Sequence, residues 1–430
     1  MFSVAGNTSL IKTTSHKVVV PFYVYAAISF LVATIMLLVA APSFTQHYFH
    51  PRTLAITHIM ALGWGTMIIL GASHQLVPVL IEGKLHSNKL AGLCFILAAT
   101  GIPLLSYGFY VFDMGWPAKW GGRLIILAII VYLINLGMSM AKSKKENVHA
   151  VFLFTGGLWL LVTTIVGLVL VYNFTYPLMP KESLHYLALH AHTGVVGWFL
   201  LLVIGVGSRL IPMFLISKYS NPGLLWLIYG LINGGLASFV FIFLFADSKS
   251  AVLMPFIAVA VAIFLFAYYC YKSFSQRIRK KVDEQMRISL LSVLMMLLPV
   301  VVLVVIISIM LLAATPDIRV ILIYGFVIFF GWITAIILGM TFKTLPFIVW
   351  NKVYHTLSAT GKTPNPKDMF SRTVFISMGV IYLGGFALFP IGILLNNILI
   401  LQSASVLLLL VAVLYNWNVI KILVHKPVIR

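Results

Sequence analysis

Polar and charged residues gather in short clusters along the chain, and between them run twelve apolar stretches. These lie at about 18–42, 53–81, 90–112, 123–141, 149–172, 187–216, 223–246, 251–271, 288–314, 320–349, 373–395 and 398–420. Each holds about 20 to 30 residues, enough to cross a hydrocarbon core about 30 Å thick as a helix. The pattern predicts an all-α polytopic membrane protein of twelve transmembrane helices in a single transmembrane domain, 1–430. The first stretch follows Lys12 and Lys17 and so has the flank of a signal peptide, but its apolar run is too long for one and reads as a membrane helix.

Composition agrees with that pattern. Of 430 residues, 61% are hydrophobic and 9% charged, against about 25% charged in a soluble globule. A net charge of +20 raises the question of nucleic acid, and the placement of the charges answers it. With the N-terminus in the cytoplasm, twenty-one Lys and Arg fall in cytoplasmic tails and loops and six in outer loops, namely Arg52, Lys119, Arg123, Lys181, Lys249 and Arg319. The positive-inside rule then predicts both termini on the cytoplasmic side of the cell (inner) membrane, with membrane lipids and not nucleic acid as the partner of the charges. Cys94 and Cys270 stand in separate apolar stretches and offer no paired-cysteine chemistry. All nine Asp and Glu lie in loops or at span boundaries, which removes the carboxylate relays of ion pumps.

A pattern Gly-Trp-x6-Gly-x6-Pro-x5-Lys occurs three times at an interval of 134. It runs through Gly63-Trp64, Gly71, Pro78 and Lys84, then Gly197-Trp198, Gly205, Pro212 and Lys218, then Gly331-Trp332, Gly339, Pro346 and Lys352. It predicts three four-helix repeats, approximately 18–147, 148–281 and 282–421, related by pseudo-three-fold symmetry. Each motif falls on the second helix of its unit. Small residues there allow close helix contact, and the lysine marks a boundary.

Packing does not explain the residue five positions before each Gly-Trp, which reads His58, His192 and Phe326; two positions earlier stand Ile56, His190 and Tyr324. Ionisable groups at membrane depth are expensive and point to function. Neutral imidazole is a ligand for iron, copper or zinc, and two imidazoles from separate helices can hold a haem iron. His58, His190 and His192 are therefore the candidate cofactor and metal ligands. His190 and His192 diverge by about 200° on an ideal helix, so one of them faces a neighbouring helix. His74 reads as a hydrogen-bonded packing residue. His47, His50 and His185 read as loop histidines, and His16, His86, His149, His355 and His425 as solvated residues of loops, tails or helix ends.

Three four-helix units, with histidines on helices 2 and 6, resemble subunit I of the haem-copper oxidase and nitric oxide reductase superfamily. The segment from Thr57-His58 through Gly63-Trp64 to Gln75-Leu76-Val77-Pro78 is similar to the helix that carries that family's low-spin haem ligand. His190-Ala191-His192 resembles the His-Ala-His element of NnrS-type haem- and copper-containing membrane proteins. The resemblance implies a b-type haem on His58, copper at His190 or His192, and an electron-donor or partner subunit. It also marks departures, since Leu224 to Phe245 holds no histidine and Tyr324-Gly325-Phe326 replaces the family's His-x-His.

The expected function is that of a divergent, oxidase-like haem-binding and optionally copper-binding protein. Its task would be electron transfer or respiratory chemistry of nitric oxide or oxygen, without oxygen reduction. The competing readings are a transporter or channel on the same helical frame, disfavoured by the lack of buried carboxylates, and a non-catalytic assembly subunit, favoured by Tyr324 and Phe326.

Overall fold

The computed structural model describes residues 14–81, 83–143, 147–246, 248–312, 315–354 and 363–427. Glu82, Glu146, Asp247 and His355 lie outside the described residues, as do the cations Lys12, Lys144, Lys145, Lys362 and Arg430. Among the described residues twelve helices are long and apolar enough to cross a membrane: α1 (His16–Val39), α2 (Pro51–Leu80), α3 (Asn88–Tyr110), α4 (Trp116–Met140), α5 (Val148–Asn173), α6 (Ser183–Leu215), α7 (Pro222–Phe245), α8 (Ser250–Ser275), α9 (Glu284–Leu311), α10 (Ile318–Tyr354), α11 (Arg372–Leu394) and α12 (Ile398–Leu423). Among the described residues there is no strand, only an isolated bridge between Ser217 and Arg277. The chain is an integral membrane protein of the expected class.

Short polar residues start the helices. Ser15, Ser87, Asn147, Asn221, Asp283, Asp317, Ser371 and Asn397 each accept a backbone N–H of the first turn, satisfying donors that hydrocarbon would leave orphaned. The helices that carry the Gly-Trp motifs form the interior. In the most apolar window of α2, 83% of residues are buried, and in α6 and α10 67%, whereas the other nine range from 22% to 50%. Consecutive helices pack side by side around that centre, and α12 returns to pack on α1. Asn416 ties this seam by donating Nδ2 to the Ala27 carbonyl at 3.0 Å.

Glycine sets the inner spacing. A Cβ at Gly71 would collide with Phe22 of α1, at Gly205 with Phe152 of α5, and at Gly339 with Ser289 of α9. Each motif glycine thus admits the helix that precedes it to backbone distance.

The three inner helices are not uniformly α-helical. Each passes through a π-helical segment over its motif, Ile59–Thr66, Val195–Leu200 and Val327–Ile333. In α10, Gly331 departs from helical geometry (φ −91°, ψ −112°), and the hydroxyl of Tyr382 on α11 reaches the freed carbonyls of Phe330 at 2.9 Å and Gly331 at 2.8 Å. Unsatisfied backbone at membrane depth is costly, so this hydroxyl stabilises the kink. The indoles join the inner helices: Trp64 Nε1 donates to Thr334 Oγ1 at 3.1 Å, and Trp198 Nε1 to Thr66 Oγ1 at 3.0 Å. In the 134-residue register the third equivalent would run from Trp332 to residue 200. That residue is leucine and has no acceptor.

Candidate functional site

His58 ends the α-helical first turns of α2, just before the π segment. Its Nδ1 lies 2.8 Å from the Leu54 carbonyl, one turn back. His190 on α6 places Nδ1 3.0 Å from the Thr163 carbonyl of α5. A carbonyl only accepts, so both rings carry their proton on Nδ1 and keep the lone pair on Nε2. This is how a second partner prepares a histidine to ligate.

The two rings face each other across the α2/α6 boundary, 6.2 Å between centroids and 18° between planes. Two imidazoles so placed would offer a metal nitrogen donors from separate helices. Phe109 of α3 closes one side of His58 at 4.5 Å. Gly167 of α5 closes the other side of the pair, for a Cβ there would stand 2.7 Å from Cε1 of His190.

Both histidines line a cavity of about 310 Å³ between α2 to α6 and α10. Its wall is apolar, with Leu54, Phe109, Ile125, Leu160, Val195 and Phe329 among its side chains. That volume falls at the lower end of the range of small-molecule sites, and the apolar wall with few convergent polar groups matches their usual make-up.

His192, the register equivalent of His58, turns to the other side of α6. Its Nδ1 lies 2.7 Å from the Ala188 carbonyl, so Nε2 accepts, and the Tyr324 hydroxyl donates to it at 3.2 Å. Phe239 of α7 packs against the ring at 5.3 Å. His192 is thus already engaged, while Tyr324 also lines the cavity that holds His58 and His190.

The third equivalent, Phe326, is part of an aromatic stack. It lies parallel to Phe389 at 4.3 Å, Phe330 at 5.1 Å and Phe386 at 5.9 Å. The three equivalent positions therefore differ: His58 meets His190 of α6, His192 meets Tyr324 of α10, and Phe326 is walled in by phenylalanines of α10 and α11.

His74 donates Nδ1 to the Leu70 carbonyl at 2.7 Å and packs between Phe22 and Tyr132, while its Nε2 is buried without a partner. His50 caps α2 by accepting the Arg52 N–H at 3.2 Å; partial burial and then the Arg52 charge lower its pKa from the usual value. His47 caps its own loop by accepting the Phe49 N–H at 3.1 Å. His185 packs on Tyr186 and Phe243. Among the described residues no group of three or more His, Cys, Asp or Glu comes together. The nitrogen donors among the cavity's side chains are the imidazole pair and the indole of Trp198, which is already bonded to Thr66; the thioethers of Met60 and Met114 also line it. Thr163 and Gly167 carried no sequence signal, because a threonine and a glycine in an apolar helix look like packing.

No family model and no curated protein matches the chain in sequence. Among solved structures it is similar to a chain of a heme-copper terminal oxidase dimer, with a TM-score of 0.66 and 10% identity over 96% of this chain and 85% of that one. The chain therefore has a haem-copper oxidase subunit I-like fold.

Proposed function

We propose that this is an oxidase-like membrane protein that would bind one haem of the b type between α2 and α6, with His58 and His190 as the residues that hold it. The observation that carries the reading is the pair itself, two imidazoles with Nδ1 tied to carbonyls, 6.2 Å apart in an apolar cavity. Two nitrogen donors suit a haem iron, whose other four ligands come from the macrocycle. A lone copper ion takes three or more protein donors in its common sites, so copper is the weaker option. Bound there, the haem would supply one-electron chemistry. The chain's own residues hold its axis, exclude water and, through Tyr324, offer the cavity a hydroxyl already hydrogen-bonded to His192.

The reading extends to electron transfer or the handling of nitric oxide, the chemistry of NnrS-type proteins, with electrons from a partner subunit. It includes three repeats of 134 residues and both termini in the cytoplasm. The two indole–hydroxyl bonds support a cyclic arrangement of the repeats, since one maps onto the other by the 134-residue shift.

The test is the visible spectrum of the purified protein after expression with ample haem. Wild type should show a six-coordinate low-spin haem. His58→Ala and His190→Ala should lose it or shift its spectrum, and His192→Ala and His86→Ala should keep it. Wild-type protein that binds neither haem nor metal would sink the reading, and loss of haem from His192→Ala alone would reassign the second ligand.

A further inference from the structure

Lys119 and Arg123 lie one turn apart on α4, at the end of the bundle opposite the termini. Both are held against aromatic rings. Lys119 Nζ sits 5.0 Å from the ring of Tyr172 and 5.1 Å from that of Tyr176, and donates to Thr175 Oγ1 at 3.1 Å. The Arg123 guanidinium lies 4.8 Å from Trp120 and 5.6 Å from Tyr172, and donates to the Tyr172 hydroxyl. Among the described residues neither cation has a carboxylate within 4.0 Å.

Two features make this more than a solvated pair. Stacking and single hydroxyl contacts fix the side chains while leaving most of their N–H donors unspent: an ammonium has three and a guanidinium five. The rings that flank them are also partly open, Trp120 at 45% and Tyr176 at 55% exposure, on the outer surface of α4 and its neighbouring loop. Exposed Trp and Tyr at a helix end mark the level of the lipid headgroups. In the proposed orientation this is the side on which cations are few, and these are two of only six there.

We propose that Lys119 and Arg123 form a site for the phosphate of an anionic phospholipid in the leaflet opposite the termini. The lysine supplies a point charge and the arginine a fork of donors to phosphate oxygens, with Trp120 and Tyr176 against the glycerol and upper acyl chain. The proposal is independent of the haem reading. The other anionic group that could reach here is a haem carboxylate, because Gly122, between the two cations, lines the cavity.

The experiment is native mass spectrometry of the full chain, delipidated in detergent and then offered equal phosphatidylglycerol and phosphatidylcholine. Wild type should retain phosphatidylglycerol in preference. Lys119→Gln with Arg123→Gln should cut that retention about tenfold or more, whereas Lys421→Gln at the other end should not. The charge-conserving Lys119→Arg with Arg123→Lys guards against misfolding and should keep the lipid. Equal retention of both lipids by wild type, or unchanged phosphatidylglycerol retention in the Gln variant, would overturn the proposal. Haem loss with lipid retention unchanged would give the cations to the haem carboxylates instead.

Discussion

At the scale of the residue, the site depends on an atom that is missing. Gly167 leaves the space in which the His190 ring turns toward His58, and the Thr163 carbonyl one turn earlier on α5 holds that ring by Nδ1. Gly167→Ala adds a Cβ at 2.7 Å from Cε1 of His190 and must displace the ring, since closer carbon contacts than about 3.4 Å are repulsive. Under the proposed function, haem affinity should fall on the order of tenfold, as for other losses of a ligand's support, measured by haem titration of the apoprotein. Unchanged affinity would mean that His190 is not an axial ligand. The histidines were legible in the sequence because imidazoles at membrane depth are rare. Their pairing was not. The 134-residue register equates His58 with His192, which sets them at different boundaries: shifted by 134, the His58–His190 contact becomes the His192–Tyr324 contact.

At the scale of the element, most spans were legible to within about five residues, because hydrocarbon demands long apolar runs whatever their packing; α4 instead starts at Trp116, seven residues before the expected 123, and so carries Lys119, which the sequence pattern assigns to an outer loop. The π segments were not, because Gly and Trp occur in ordinary helices as well. Yet these segments are where the inner helices touch and where their hydrogen bonding changes. Tyr382→Phe removes the hydroxyl that reaches the Phe330 and Gly331 carbonyls, and should destabilise the detergent-solubilised protein by about 1–3 kcal/mol. A melting temperature equal to that of wild type would show that lipid-side structure relaxes around the kink. The opposite change belongs to position 200. Leu200→Thr offers Trp332 the acceptor that Thr334 offers Trp64 and Thr66 offers Trp198. In the proposed cyclic arrangement it should stabilise by about 0.6 kcal/mol, the usual net worth of a hydrogen bond between membrane helices. The measurement is the melting temperature of Leu200→Thr against Leu200→Val, which controls for branching.

At the scale of the whole molecule, twelve crossings would put both termini on one side, and in the proposed orientation that side is the cytoplasm. Reporter fusions after residue 276, between α8 and α9, should be active only as cytoplasmic reporters; periplasmic activity there would invert the molecule. The seam between α1 and α12 closes the ring of helices around α2, α6 and α10, so the three boundaries between those inner helices share one frame and yet are furnished differently. The α2/α6 boundary presents two lone pairs to the cavity and the α6/α10 boundary spends its histidine on a tyrosine, while Phe326 of α10 stacks outward on Phe386 and Phe389 of α11. Toward a planar guest such a frame has a stoichiometry built in. Titration with haem should saturate at one equivalent per chain. A second equivalent bound with comparable affinity would require His192 to give up Tyr324, and should appear as the loss of that occupancy limit in Tyr324→His rather than in wild type.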